Sequence, residues 1–228
     1  MKPFLILFVI AIGMAVCADS IGQETIGSQR QAASAAGAED RGLSFAKTGD
    51  RCRNSGNIDS AIIYYNLALG IDTNVFGKRH PSVARDFNNL GLIWSEKGEY
   101  DTAIGFYSNA LQIDSTIHGK MHHKVANLYN NLGSSWSAKG EYDKAIMYFG
   151  LAIEIDTVVL GKNHRNVAVC YNNLGLAWEI KGDYNKAIEN FNLAIESCRK
   201  NSDKQKSDVK TYRANLEQAK MKKREKCR

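Results

Sequence analysis

The sequence predicts an all-α fold, a solenoid of four helix pairs closed by a C-terminal capping helix. Three observations carry this. Asn89-Leu90-Gly91 recurs as Asn131-Leu132-Gly133 and Asn173-Leu174-Gly175, and Gly98-Glu99-Tyr100 as Gly140-Glu141-Tyr142 and Gly182-Asp183-Tyr184, each step being 42 residues. Large apolar residues such as Phe87, Leu90 and Trp94 are spaced three and four apart, which places them on one helical face. Only two prolines occur in 228 residues, so little in the composition breaks helices.

In chain order, the first residues read as an export signal: Lys2, an apolar run from Phe4 to Val16, and small residues at Cys17 and Ala18. Residues 1–18 are therefore expected to be a signal peptide cleaved after Ala18. Lipid attachment at Cys17 is the competing reading, with Val16 in the place where that signal wants Gly or Ala. Residues 19–41, rich in Gln, Ser, Ala and Gly, lack apolar periodicity and are expected to form a flexible linker. The helix pairs fill 42–205. In the 42-residue register their units are 38–79 (a worn copy, with Thr48 and Cys52 in the Leu and Trp places), 80–121, 122–163 and 164–205. Val209 and Leu216 continue the register, but Glu217 stands where the glycine should be; residues 206–228 are expected to hold a lone basic capping helix.

Within each unit, Gly98 and its equivalents separate the two apolar-periodic segments, as a turn requires. Gly91 and Ala103 are small in the middle of apolar faces, so two helices can approach closely. One hairpin cannot bury both faces, and neighbours must stack. The pattern aromatic-x-x-Leu-Gly-x-x-Trp followed by Gly-x-Tyr-x-x-Ala-x-x-x-aromatic-x-x-Ala resembles the tetratricopeptide repeat (TPR). Its 42-residue period and the connection Leu160-Gly161-Lys162-Asn163-His164 resemble the kinesin-light-chain variety. The resemblance implies a right-handed superhelix whose concave groove, lined by the first helix of each pair, takes a peptide or protein partner.

With Phe87, Leu90 and Trp94 turned into the stack, Arg85, Asn89 and Leu92 share another stripe, matched by Asn127 and Asn131 and by Asn173 and Leu176. A side-chain amide has two donor hydrogens and an acceptor, so Asn89, Asn131 and Asn173 could bond the backbone of an extended ligand. Leu92 and Leu176 would add apolar contacts, and Lys47, at the asparagine's place in the first unit, would meet an acidic group. Repeated asparagines could instead, or as well, bond across helices and fix the stacking, Asn88, Asn130 and Asn172 being the better candidates for that.

The histidines His80, His122 and His164 recur at 42 residues, too far apart in a stacked array to share a metal, and are read as helix-start hydrogen-bonding groups. No metal, cofactor or catalytic residue is assigned, since no nucleophile elbow, phosphate loop or His-Glu-x-x-His occurs. The Trp94, Trp136 and Trp178 series reads as core. Cys52, Cys170, Cys198 and Cys227 are expected to be free thiols within one chain. From Arg199 to Arg228 there are 12 Lys or Arg against 4 Asp or Glu, an excess larger than the whole chain's +6, so the rest of the chain is slightly acidic. That tail suits a solvated helix end, or weak contact with an anionic membrane surface, and not nucleic acid, for aromatic residues are not interleaved with the charge. The expected function is an exported, periplasmic, envelope or secreted protein-binding scaffold. A self-assembling or membrane-surface-associated envelope component, a lipoprotein among the forms it could take, is the alternative.

Overall fold

The computed structural model describes residue 37, residues 40–198 and residues 206–226. The proposed signal, Cys17, Cys227 and most of the linker lie outside them. Nine helices follow in order among the described residues: α1 (40–54), α2 (Ile58–Phe76), α3 (Pro81–Glu96), α4 (Tyr100–His118), α5 (His123–Ala138), α6 (Tyr142–Val159), α7 (Arg165–Ile180), α8 (Tyr184–Cys198) and α9 (Lys206–Lys226). Residues 37, 40 and 41 are already helical, so the end of the expected linker is part of the first repeat.

The first helices α3, α5 and α7 start in the same way. The imidazole Nδ1 of His80, His122 and His164 accepts the backbone N–H two residues on, from Ser82, Lys124 and Asn166, each at 3.2 Å. An N-cap of this kind satisfies one of the donors a helix start leaves over. Each hairpin then turns at Gly98, Gly140 or Gly182, with φ of +86°, +83° and +80°, a region that side-chain-bearing residues rarely enter.

The hairpins close on a glycine-to-ring contact. A Cβ placed on Gly91 would lie 2.5 Å from the ring of Tyr107, and one on Gly133 or Gly175 would lie 2.7 Å from Phe149 or Phe191. These rings and Ala103, Ala145 and Ala187 are fully buried. The tryptophans pack beside this core, half-buried, and their outer faces are covered by lysine: Lys144 Nζ sits 4.1 Å from the Trp136 centroid and Lys186 Nζ 3.9 Å from that of Trp178. Lys97 reaches back to Asp59 at 2.9 Å, and Lys139 and Lys181 make the same bond to Asp101 and Asp143, tying each turn to the preceding one.

Both ends of the stack are polar for a reason visible in the register. In α1, Arg41, Ser44, Thr48 and Arg51 stand where α3 has the buried Val83, Asp86, Leu90 and Ile93; no earlier hairpin covers them among the described residues, and the worn repeat presents a polar face there. In α9, Tyr212, Leu216 and Ala219 are buried against Phe191, Ala194 and Cys198, whereas Arg213, Glu217 and Lys220 replace the residues that would receive a further second helix. Lys222 pairs with the buried Glu179 at 2.7 Å, and Lys226 Nζ bonds the Gly182 carbonyl at 3.2 Å.

Candidate functional site: the first-helix face

The first helices of successive repeats approach one another more closely than the second helices do, which puts α3, α5, α7 and α9 on the inner side of the curve. Along this side runs a chain of asparagine pairs. Asn131 Nδ2 donates to Asn88 Oδ1 at 3.0 Å, Asn173 to Asn130 at 3.0 Å, and Asn215 of the capping helix to Asn172 at 2.8 Å. Each pair therefore uses one amide hydrogen of the later asparagine and the oxygen of the earlier one. The N–H groups of Asn88 and Asn130 and the oxygen of Asn131 remain available. Asn130 Oδ1 also accepts from the thiol of Cys170 at 3.5 Å, and burial pushes that thiol's pKa up to about 12, so it stays an uncharged donor.

The two sequence readings of the asparagines thus meet in the same residues: Asn131 and Asn173 join repeats, and Asn88 and Asn130 are their partners. Asn89 differs. Its partner position in α1 is Ala46, buried and without an amide, so Asn89 takes part in no pair.

Between α3 and α5 lies a cleft of about 660 Å³, with Arg85, Leu92, Asn127 and Asn131 from the expected stripe in its walls, together with Asn88, Asn130, Lys124 and Asp114. Lys47 and Leu176 are exposed on α1 and α7, outside this cleft, and Asn173 lies one rung further on. Arg85 is not a free cation: Nη2 bonds Asp72 at 2.8 Å and Asp86 at 2.9 Å. Burial raises the Asp86 carboxyl pKa strongly, against the pull of Arg85, and a proton there suits two buried carboxylates sharing one guanidinium. Asn127 Oδ1 accepts from Asn166 at 3.1 Å. Lys124, half-buried, makes no ion pair among the described residues and is a cation the cleft presents.

Lys124, Asp114 and Asn215 were not singled out from the sequence. Asn215 could have been found, because it continues the 42-residue series of Asn89, Asn131 and Asn173. The thiols of Cys52, Cys170 and Cys198 are free, and no group of three or more His, Cys, Asp or Glu among the described residues is placed to hold a metal ion. None of the helices described is long and apolar enough to cross a membrane.

A stack of helical hairpins with this glycine, aromatic and alanine pattern defines a repeat protein of the α-solenoid class. The tetratricopeptide repeat profile matches residues 49–116 and 124–200, and the chain belongs to that family. Its repeats are of the kinesin-light-chain-like type. The fold is similar to that of BtubC (BKLC) from P. vanneervenii, with a TM-score of 0.70 at 23% identity over 85% of this chain and 83% of that one. It is also similar to the nearly identical TPR-like repeats of a protein described as a kinesin light chain of Podosopora anserina, with a TM-score of 0.70 at 16% identity over 82% and 89%. No curated protein matches the sequence. TPR repeats support a protein-protein interaction scaffold.

Proposed function

We propose that this chain is an exported scaffold that holds an extended peptide segment of a partner protein along the inner face of α3, α5 and α7. The observation that carries this is the cleft between α3 and α5, into which Asn88, Asn130 and Asn131 bring amide groups that the inter-repeat pairs leave unused. Amides placed one repeat apart, on the order of 10 Å for packed helices, suit an extended chain that advances about three residues per rung. Bonds to main-chain groups would hold such a ligand whatever its sequence; Leu92 and Lys124 would select among side chains. Export rests on the character of residues 1–18 alone. The polar outer faces of the described stack speak against end-to-end self-assembly through them, because they carry Arg41, Arg51, Arg213 and Glu217.

The test separates binding from stacking by sparing every bonded asparagine. Lys124→Ala with Asn89→Ala removes two inner-face groups that hold no neighbouring repeat. The variant is expected to melt within about 2 °C of the parent, as surface changes do, and to lose at least tenfold in affinity for a partner captured by the parent chain. Equal recovery by both would move the function to the convex face, the loops or the basic helix.

A further inference from the structure

Three imidazoles meet at the start of α5 and nowhere else among the described residues. The ring of His118, on the last turn of α4, stacks on His122 with centroids 4.4 Å apart and planes 15° apart, and the ring of His123 lies 4.4 Å from that of His122, tilted by 37°. In the first repeat the residue equivalent to His118 is Phe76, stacked on His80 at 4.2 Å; in the third it is Leu160. A position that holds an apolar side chain in those two repeats here holds a third imidazole.

The cap itself works only when His122 is neutral. Its Nδ1 accepts the Lys124 N–H at 3.2 Å, and a proton there would abolish the acceptor and set a positive charge at the positive end of a helix. The surrounding groups fix the response. From α4 come Asp114 and His118, whose Nε2 and Oδ1 atoms lie 3.7 Å apart, both buried and otherwise unbonded. From α5 come His123 and Lys124, and near the end of α6 Asp156 interacts electrostatically with His164 and then His123.

We propose that the α4–α5 junction is an acid-sensitive hinge: protonation of His122, packed between His118 and His123 in the ring stack, releases its cap and loosens the first turn of α5. That turn continues into the wall bearing Lys124, Asn127 and Leu128, so the cleft between α3 and α5 is lost with it. The direction of the pKa shifts agrees. Burial first, and then His123 and His118, hold the His122 pKa below the ordinary imidazole value. Its contribution to stability is therefore complete above about pH 6.5 and is lost as the pH falls from there through its folded value. Asp114 and Asp156, raised by burial, act with the opposite sign, gaining stability as the pH falls through their folded values toward the ordinary carboxylate range. A global melting curve would mix the two effects.

The test is therefore local and needs no ligand: amide hydrogen exchange of the full chain at about pH 7.5 and pH 5.5, corrected for intrinsic rates. The first turn of α5 is compared with those of α3 and α7, which share the histidine cap but not the stack. Protection in α5 is expected to fall at least tenfold more than in the other two. His122→Asn, which keeps a capping acceptor that does not titrate, is expected to abolish the difference, and His118→Phe, copying the first repeat, to reduce it. An equal response of the three helices, or an undiminished acid loss in His122→Asn, would overturn the hinge. A hinge without partner binding would leave it standing while the groove reading fell.

Discussion

Gly133→Val is expected to lower the melting temperature by about 6–12 °C. The Cβ alone would lie 2.7 Å from the Phe149 ring, a distance real Cβ atoms do not reach, and Phe149 is fully buried between α5, α6 and their neighbours. Overpacking a close-packed site costs about 1–3 kcal/mol for the first added groups, and valine adds two further carbons and a stiff χ1 in a helix. About 3 kcal/mol corresponds to that temperature shift for a chain of this size. Gly150→Ala supplies the opposite sign on the neighbouring helix. A Cβ there meets nothing within 4 Å, and the substitution is expected to stabilise by about 0.5–1 kcal/mol through helix propensity. If Gly133→Val and Gly150→Ala melted alike, close approach of the two helices would not be what the repeated glycine provides. Gly133→Ala combined with Phe149→Leu would test the same contact as a double-mutant cycle, the smaller side chain relieving part of the clash.

That contact was legible in the sequence because both partners recur at the repeat period itself. Gly91, Gly133 and Gly175 align at 42 residues, as do Tyr107, Phe149 and Phe191, so the self-comparison that finds the fold also finds its core. The groups that join one repeat to the next follow a different interval. Asn88 with Asn131, Asn130 with Asn173, Asn172 with Asn215, Arg53 with Glu96 and Arg165 with Asp208 are all 43 residues apart. The turn lysines pair at 38. A search at 42 aligns equivalent positions and shows which residues recur, whereas contacts between units fall at neighbouring intervals. Asn89, Asn131 and Asn173 consequently looked alike in the sequence although only the last two find a partner; what distinguishes Asn89 is Ala46, 43 residues before it.

The same distinction explains the worn first repeat. Read at 42 residues, Arg41, Ser44, Thr48 and Arg51 are departures from the pattern of buried residues in α3, and they obscure the repeat. Read as an outer face with no hairpin in front of it among the described residues, they are the polar residues that the open face of a solenoid needs. The inner half of α1 keeps the pattern where it has a partner: Gly49 lies against Tyr65 as Gly91 lies against Tyr107, and the Tyr65 hydroxyl donates to Asp50 at 2.8 Å.

The capping helix is expected to be as necessary as any repeat, although its mean composition is strongly polar and its C-terminal half is basic. Leu216→Ala in the middle of α9 is predicted to cost about 2–5 kcal/mol, the range for truncating a buried leucine, whereas Arg224→Ala on the exposed face of the same helix should change stability by less than about 0.5 kcal/mol. Removing residues 206–228 altogether would uncover Phe191, Ala194, Ile195 and Cys198, which are buried in one cluster with Tyr212, Leu216 and Ala219. It would also leave Glu179, which is 5% exposed, without Lys222. A buried carboxylate deprived of its cation and a newly exposed apolar face act in the same direction. The shortened chain is expected to lose at least 10 °C in melting temperature and to associate at concentrations where the full chain is monodisperse by light scattering. A shortened chain that melted like the parent would show that α8 closes the stack by itself. In that case the basic helix would be an accessory to binding, and its surface would become the first place to look for a partner.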